Sequence, residues 1–170
     1  MEIYHGSNIA VTEPLANAGR RNLDFGKGFY TTRLKSQAQK WAYLVASRKE
    51  KHPQGIISKY EFDEECLSQQ GYVYKNFPVY DMEWLEFVVA SRKGLPVWQD
   101  FDVIEGGIAN DRVFNTIELY SQGLITQDTA LSRLQYERPN NQICLLSQAV
   151  VDGYLHFIES SIITTDDQSV

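Results

Sequence analysis

A chain of 170 residues with 43% hydrophobic and 22% charged residues is of ordinary globular make-up. At that length one domain buries roughly 70% of its unfolded surface without help from disulfides or metals. A formal charge of −6, with no stretch that concentrates Lys and Arg among aromatic residues, argues against electrostatically driven nucleic-acid binding. Cys66 and Cys144 are too few and too far apart for a disulfide framework or a zinc site, and both read as reduced thiols.

The chain opens on Met-Glu-Ile-Tyr-His, with no basic stretch leading into an apolar one and no long apolar run anywhere. The expected compartment is the cytoplasm, and no membrane partner is expected. The first element is a short strand, Glu2-Ile3-Tyr4-His5-Gly6-Ser7, closed by Gly6-Ser7. A polar loop runs from Asn8 to about Asn22 and holds Pro14, Gly19, Arg20 and Arg21. The glycines of Leu23-Asp24-Phe25-Gly26-Lys27-Gly28 permit a tight turn, and Phe29 to Thr32 are strand formers.

Ser36 to Arg48 reads as a helix, with Leu34, Ala38, Trp41, Ala42 and Val45 on one apolar face. Arg48-Lys49-Glu50-Lys51-His52 is its polar end. Gly55 to Phe62 alternates as a strand. Residues 63 to 80 are read only as strand or loop, and Met82 to Arg92 fits helix and strand equally.

Val103 to Ala109 suggests a strand ending in a turn, followed by a helix from Asn110 to Gln122, stopped by Gly123. A short helix capped by Thr126 runs through Leu134. Gln142 to Leu146 is a buried strand, Ser147 to Gly153 a turn or helical piece, and Tyr154 to Ser160 a last strand. The mixture predicts a single α+β domain over 1–163 with a polar tail over 164–170.

Three pieces carry candidate chemistry: Tyr4-His5-Gly6-Ser7, Phe25-Gly26-Lys27-Gly28-Phe29-Tyr30 and Asn141-Gln142-Ile143-Cys144-Leu145-Leu146. Each starts or ends a strand with a polar residue that would be awkward if merely buried. The glycine pair fails as a dinucleotide fingerprint, because no third glycine opens a helix, and a P-loop is excluded for the same kind of reason.

The middle piece resembles the catalytic segment of poly(ADP-ribose) polymerases and diphtheria-toxin-like ADP-ribosyltransferases: a phenylalanine, Gly-Lys-Gly, an apolar residue and the tyrosine of an active-site triad. The likeness continues to Trp41, eleven residues beyond Tyr30, where the family has an aromatic ring on the following helix. His5 falls on the triad histidine, Gly6 on the glycine whose backbone holds the nicotinamide carboxamide, and Gln142 on the third triad position. The polymerases carry glutamate at that last place. The whole most resembles the small bacterial members of the superfamily.

The resemblance implies an ADP-ribosyltransferase-like fold, two small sheets around an NAD cleft. It implies cleavage of the nicotinamide–ribose bond of NAD and transfer of one ADP-ribose to an unknown macromolecular or small-molecule acceptor. The context it suggests is a bacterial toxin-like enzyme held in check by an inhibitory partner protein. His5, Tyr30 and Gln142 are then the catalytic candidates, and Gly6, Ser7, Trp41, Gly28 and Arg20 the NAD-binding ones.

Cleavage passes through an oxocarbenium-like state, so a site must pin the leaving nicotinamide, orient the ribose and stabilise the cation. Tyr30 and Trp41 offer two flat faces for the ring, and His5 a donor for a ribose hydroxyl. Gln142 can hydrogen-bond the ribose, but it takes no proton and carries no charge, which speaks against chain elongation. Glu86 and Glu105 are candidates to bring a carboxylate from elsewhere, against solvated strand-end residues.

Arg20, Arg21 and Arg33 are placed to meet a pyrophosphate or to form surface ion pairs. Residues 105–112 either line the acceptor side or form a helix cap through Asn110 or Asp111. Two other readings stand beside the enzyme: a non-catalytic module that binds NAD or ADP-ribose, and a fold-only relative acting in protein interaction.

Overall fold

The computed structural model describes residues 1–48, 54–68, 71–109, 111–135 and 140–163. The expected polar tail, most of the basic stretch after the first helix, Asn110 and the side chain of Asp111 lie outside the described residues. The architecture is α+β, with two small sheets and five helices among the described residues.

The first sheet has the order β1-β3-β7, made of Glu2–Ser7, Ile56–Phe62 and Leu155–Ile162, all antiparallel. The second has the order β2-β6-β5-β4, made of Phe29–Thr31, Asn141–Leu145, Val103–Gly107 and Tyr74–Phe77. Only β4 and β5 run parallel in it, joined by a connection that contains helix α2 (Met82–Arg92).

A core of Ile3, Phe29, Tyr60, Phe62, Val103, Ile143, Leu145 and Leu155 fills the space between the sheets. A second core covers the other face of β4, β5 and β6. There Phe77, Ile104 and Cys144 meet Trp84, Leu85 and Val88 of α2, and residues of α3 (Asp111–Ser121) and α4 (Gln127–Leu134). Each such large apolar side chain contributes roughly 1.5–3 kcal/mol on burial.

The ambiguity at Met82 to Arg92 is resolved by a cap. Asp81 accepts from the Trp84 N–H at 2.9 Å, and the buried residues Trp84, Leu85, Val88 and Ser91 follow a helical period. Thr126 caps α4 as expected, accepting from the Thr129 N–H at 3.3 Å. Gly123, at φ +72°, ends α3 in the left-handed region. Between 63 and 80 lie a 3-10 turn, Glu64–Ser68, and strand β4. Of Ser147 to Gly153, Ser147 precedes and the rest falls within a short helix, α5 (Gln148–Tyr154).

Helix α1 (Lys35–Ser47) forms where expected but buries a narrower stripe, Ala38, Ala42 and Ala46. Leu34 and Trp41, expected on that face, are 47% and 52% exposed. The reason lies in the strand beneath. A Cβ on Gly6 would sit 2.1 Å from the Ala38 carbonyl oxygen, so α1 crosses β1 with its backbone almost in contact, and only alanine fits between them. Among the described residues no helix is long and apolar enough to cross a membrane.

Candidate functional site

Among the described residues one isolated backbone bridge joins the two sheets. Tyr4 N–H donates to the Thr32 carbonyl at 2.8 Å, and Thr32 N–H donates back to the Tyr4 carbonyl at 2.9 Å. Beyond this bridge β1 and β2 part, and no backbone hydrogen bond joins them among the described residues. Counting away from the bridge, Gly6 lies opposite Tyr30. Backbone groups alternate in direction along an antiparallel strand, so the Gly6 N–H and C=O leave the same edge as those of Tyr4 and point into the parting.

Alternation also sorts the side chains. Tyr30 is in register with Cys144, two residues from Gln142, so Tyr30 and Gln142 share one face of the second sheet. Across the bridge this is the face of Tyr4 and Gly6, on which α1 packs. His5 points to the other face, where its ring packs on Phe29 with centroids 4.6 Å apart. Ser7, two residues on, follows the side of His5 and makes no side-chain hydrogen bond among the described residues.

His5 is nonetheless tied to Tyr30. Its Nδ1 lies 2.7 Å from the Tyr30 carbonyl oxygen. A carbonyl only accepts, so Nδ1 carries the proton and Nε2 keeps a lone pair. Burial pulls the imidazole pKa below its usual 6.5, against the opposing pull of that carbonyl. The neutral ring therefore offers an acceptor on its free side, where a donor was expected from sequence.

The Tyr30 hydroxyl donates to the Gly26 carbonyl at 2.7 Å and accepts from the Phe25 N–H at 3.1 Å. Gly26, at φ +78°, makes this turn possible. Burial first, and then Cys144 and Asp24, push the Tyr30 phenol well above its usual value, so it stays protonated and fixes the ring in one orientation. The Cys144 thiol is also pushed up by burial, and a buried neutral thiol is no nucleophile.

Gln142 is 9% exposed, and its Nε2 donates to Asp24 Oδ2 at 3.1 Å. Asp24 also accepts from the Ala109 N–H at 3.2 Å and from Arg92 Nε at 2.7 Å. One loop thus holds two of the three triad candidates: Phe25 and Gly26 anchor Tyr30, and Asp24 anchors Gln142.

On α1, Gln37 and Trp41 are four residues apart and share a flank. Gln37 Nε2 reaches the Asn141 carbonyl at 3.4 Å, which turns this flank toward the start of β6, next to Gln142. Gln37 Oε1 is buried with no partner among the described residues. Leaving such an acceptor unpaired costs about 1–3 kcal/mol, a cost a bound donor removes.

The remaining sequence candidates fall less centrally. A Cβ on Gly28 would lie 2.3 Å from Cys144 Sγ, so packing against β6 accounts for this glycine. Arg20 is exposed, next to Gly19, which itself packs on the Gly28 carbonyl; among the described residues Arg20 makes no ion pair. Arg33 instead pairs with Glu105 at 3.1 Å and with Glu64 at 3.8 Å.

Glu86 is exposed on α2. Glu105 is 5% exposed and buried, not solvated. It projects with Ile143 from the face opposite Gln142 and accepts from the Tyr74 hydroxyl at 2.9 Å. Neither carboxylate makes a hydrogen bond or ion pair with Gln142 among the described residues.

Sequence reasoning passed over Asp24 and Gln37. The available signals were an aspartate set among residues that must be buried, and a glutamine one turn before Trp41. A separate cleft of about 440 Å³ lies at the far end of β3, lined by Glu61, Asp63, Glu64 and Glu65 beside His156. Its carboxylates would repel a pyrophosphate.

A family model described as a protein of unknown function (DUF3990) matches residues 1–157. The chain belongs to that family. No curated protein and no solved structure matches the chain. The DUF3990 match takes in β1, the glycine turn, α1 and β6, and with them all the residues around the parting of β1 and β2.

Proposed function

We propose that this chain is an NAD-dependent mono-ADP-ribosyltransferase with an ADP-ribosyltransferase-like fold. The observation that carries the reading is the convergence of Gly6, Tyr30, Gln142 and the Gln37–Trp41 flank on the point where β1 and β2 separate. A half-exposed tryptophan and, one turn before it on α1, an unpartnered buried amide oxygen suit a flat, polar ligand.

In this reading nicotinamide lies at the parting. Its carboxamide meets the Gly6 N–H and C=O, and its ring lies between Tyr30 and Trp41. His5 Nε2 and Gln142 Oε1 accept from ribose hydroxyls, and Arg20, exposed beside the glycine turn, meets the pyrophosphate. The bond between ribose C1′ and nicotinamide breaks, and its electron pair leaves on nicotinamide. An acceptor nucleophile then bonds C1′ and gives up its proton to solvent.

A loose transition state asks little of a base, so a neutral Gln142 suits single transfer and not chain elongation. In a cell such chemistry fits a toxin-like or regulatory enzyme with a protein inhibitor.

The test incubates the pure protein and a bacterial lysate with adenylate-labelled NAD, with Tyr30→Ala and His5→Ala in parallel. Wild type should attach label to a lysate component and release nicotinamide, while both variants remain folded by circular dichroism and do neither. Variants that release nicotinamide like wild type would remove the site assignment. If wild type shows no release but binds NAD in a calorimetric titration, the module reading replaces the enzyme.

A further inference from the structure

Asp24 was not among the residues that suggested NAD chemistry, yet it controls the one that departs from the polymerase pattern. It is 7% exposed, and each of its oxygens is committed. Oδ1 faces Arg92, with Nε at 2.7 Å and a terminal guanidinium nitrogen at 2.5 Å. Oδ2 receives the Ala109 N–H and Gln142 Nε2 at 3.2 and 3.1 Å. Only donors can stand around this carboxylate, and position 142 supplies one of them.

Two consequences follow. A glutamate at position 142 would bring a second carboxylate to within about 3 Å of Oδ2, where two carboxylates cannot both stay charged. Gln142 is therefore not a weakened glutamate: its surroundings are built for an amide. The bond to Asp24 also removes the two-fold ambiguity of that amide. With Nε2 committed to Asp24, Oε1 is the atom left to face a ligand.

We infer that Asp24 is a positioning residue that fixes Gln142 as a hydrogen-bond acceptor for a ribose hydroxyl of NAD. This rests on the function proposed above. Arg92 supplies the counter-charge that lets the carboxylate sit in the interior.

The test compares wild type, Asp24→Asn, Gln142→Glu and the reciprocal double variant D24N/Q142E by thermal unfolding across pH, and by NAD titration and nicotinamide release. Gln142→Glu alone should be destabilised at neutral pH and recover as pH falls. The reason is the sign of the linkage: crowding by Asp24 raises the new carboxyl's pKa in the folded state, so its stabilising proton is lost as pH rises. The double variant should lose that pH dependence, because an amide again faces a carboxylate.

For NAD, Gln142→Glu at neutral pH should weaken binding about tenfold or more. Asp24→Asn should raise KM several-fold with kcat nearly unchanged, since it frees the amide to turn without removing it. The double variant should regain part of the lost affinity.

If Gln142→Glu has the same stability profile as wild type and the swap changes nothing, Asp24 does not hold the amide and the inference fails, whatever NAD does. If the stability coupling appears but NAD affinity and KM are the same in every variant, the positioning role is overturned while the proposed function stands. If the coupling appears and wild type neither binds nor cleaves NAD, it is the proposed function that falls, and the NAD role of Asp24 falls with it.

Discussion

His5 Nδ1 donates to the Tyr30 carbonyl at 2.7 Å, and that bond fixes the tautomer of the imidazole. Burial holds its folded pKa below 6.5. Between 6.5 and the lowered value the unfolded chain takes up a proton that the folded chain refuses, so stability falls as pH drops through that window and levels off below it. His5→Asn keeps a donor for the Tyr30 carbonyl but does not titrate. Thermal midpoints from about pH 8 to about pH 5 should show wild type losing its advantage over this variant as pH falls. A constant difference would mean that His5 is not buried as a neutral ring.

Gly6 meets two demands at once. Its backbone faces the parting of the strands, while the space where a side chain would stand is filled by the Ala38 carbonyl and the Ala42 N–H. Gly6→Ala places a carbon 2.1 Å from the Ala38 oxygen, and backbone on both sides leaves nothing flexible to give way. The expected loss is about 1–3 kcal/mol of unfolding free energy in a denaturant titration, with weaker NAD binding because α1 carries Gln37 and Trp41. A loss below about 0.5 kcal/mol would show that α1 does not rest on β1 so closely.

Much of this arrangement was legible in the sequence where local chemistry decided it. The strand at Glu2–Ser7, the glycine turn before Tyr30, the Gly123 stop and the Thr126 cap are local events, and they form as read. What stayed hidden depended on distant partners. The exposure of Trp41 follows from Gly6, far away in sequence, which draws α1 down on its alanines. The tie between Asp24 and Gln142 spans 118 residues, and no spacing rule reaches that far. Glu105 read as a surface residue because its partners, Arg33 and Tyr74, come from two other strands or their ends.

Glu105 is accordingly expected to matter for stability and not for chemistry. It accepts from Arg33 and Tyr74 on the face away from Gln142. Glu105→Gln removes the charge but keeps an acceptor, and should cost about 1 kcal/mol because Arg33 is half in solvent. Nicotinamide release should stay within about twofold of wild type. A large fall in release without a matching fall in thermal midpoint would make Glu105 the missing carboxylate and reverse the side of the sheet on which NAD is placed.

Trp41 separates the NAD reading from a purely structural one. A tryptophan 52% exposed on an otherwise alanine-packed helix contributes little to the core, so Trp41→Ala should change unfolding free energy by no more than about 0.5 kcal/mol. As one wall of a nicotinamide site it loses a stacking contact worth about 0.5–1.5 kcal/mol. NAD affinity should therefore fall about two- to tenfold in calorimetry. Tyr43→Ala serves as the control, because Tyr43 is also exposed on α1 but stands two residues from Trp41, on the other flank of the helix. If both substitutions weaken NAD equally, the effect is on α1 as a whole. If Trp41→Ala binds NAD like wild type, the ring is not stacked there and the placement of nicotinamide against α1 fails.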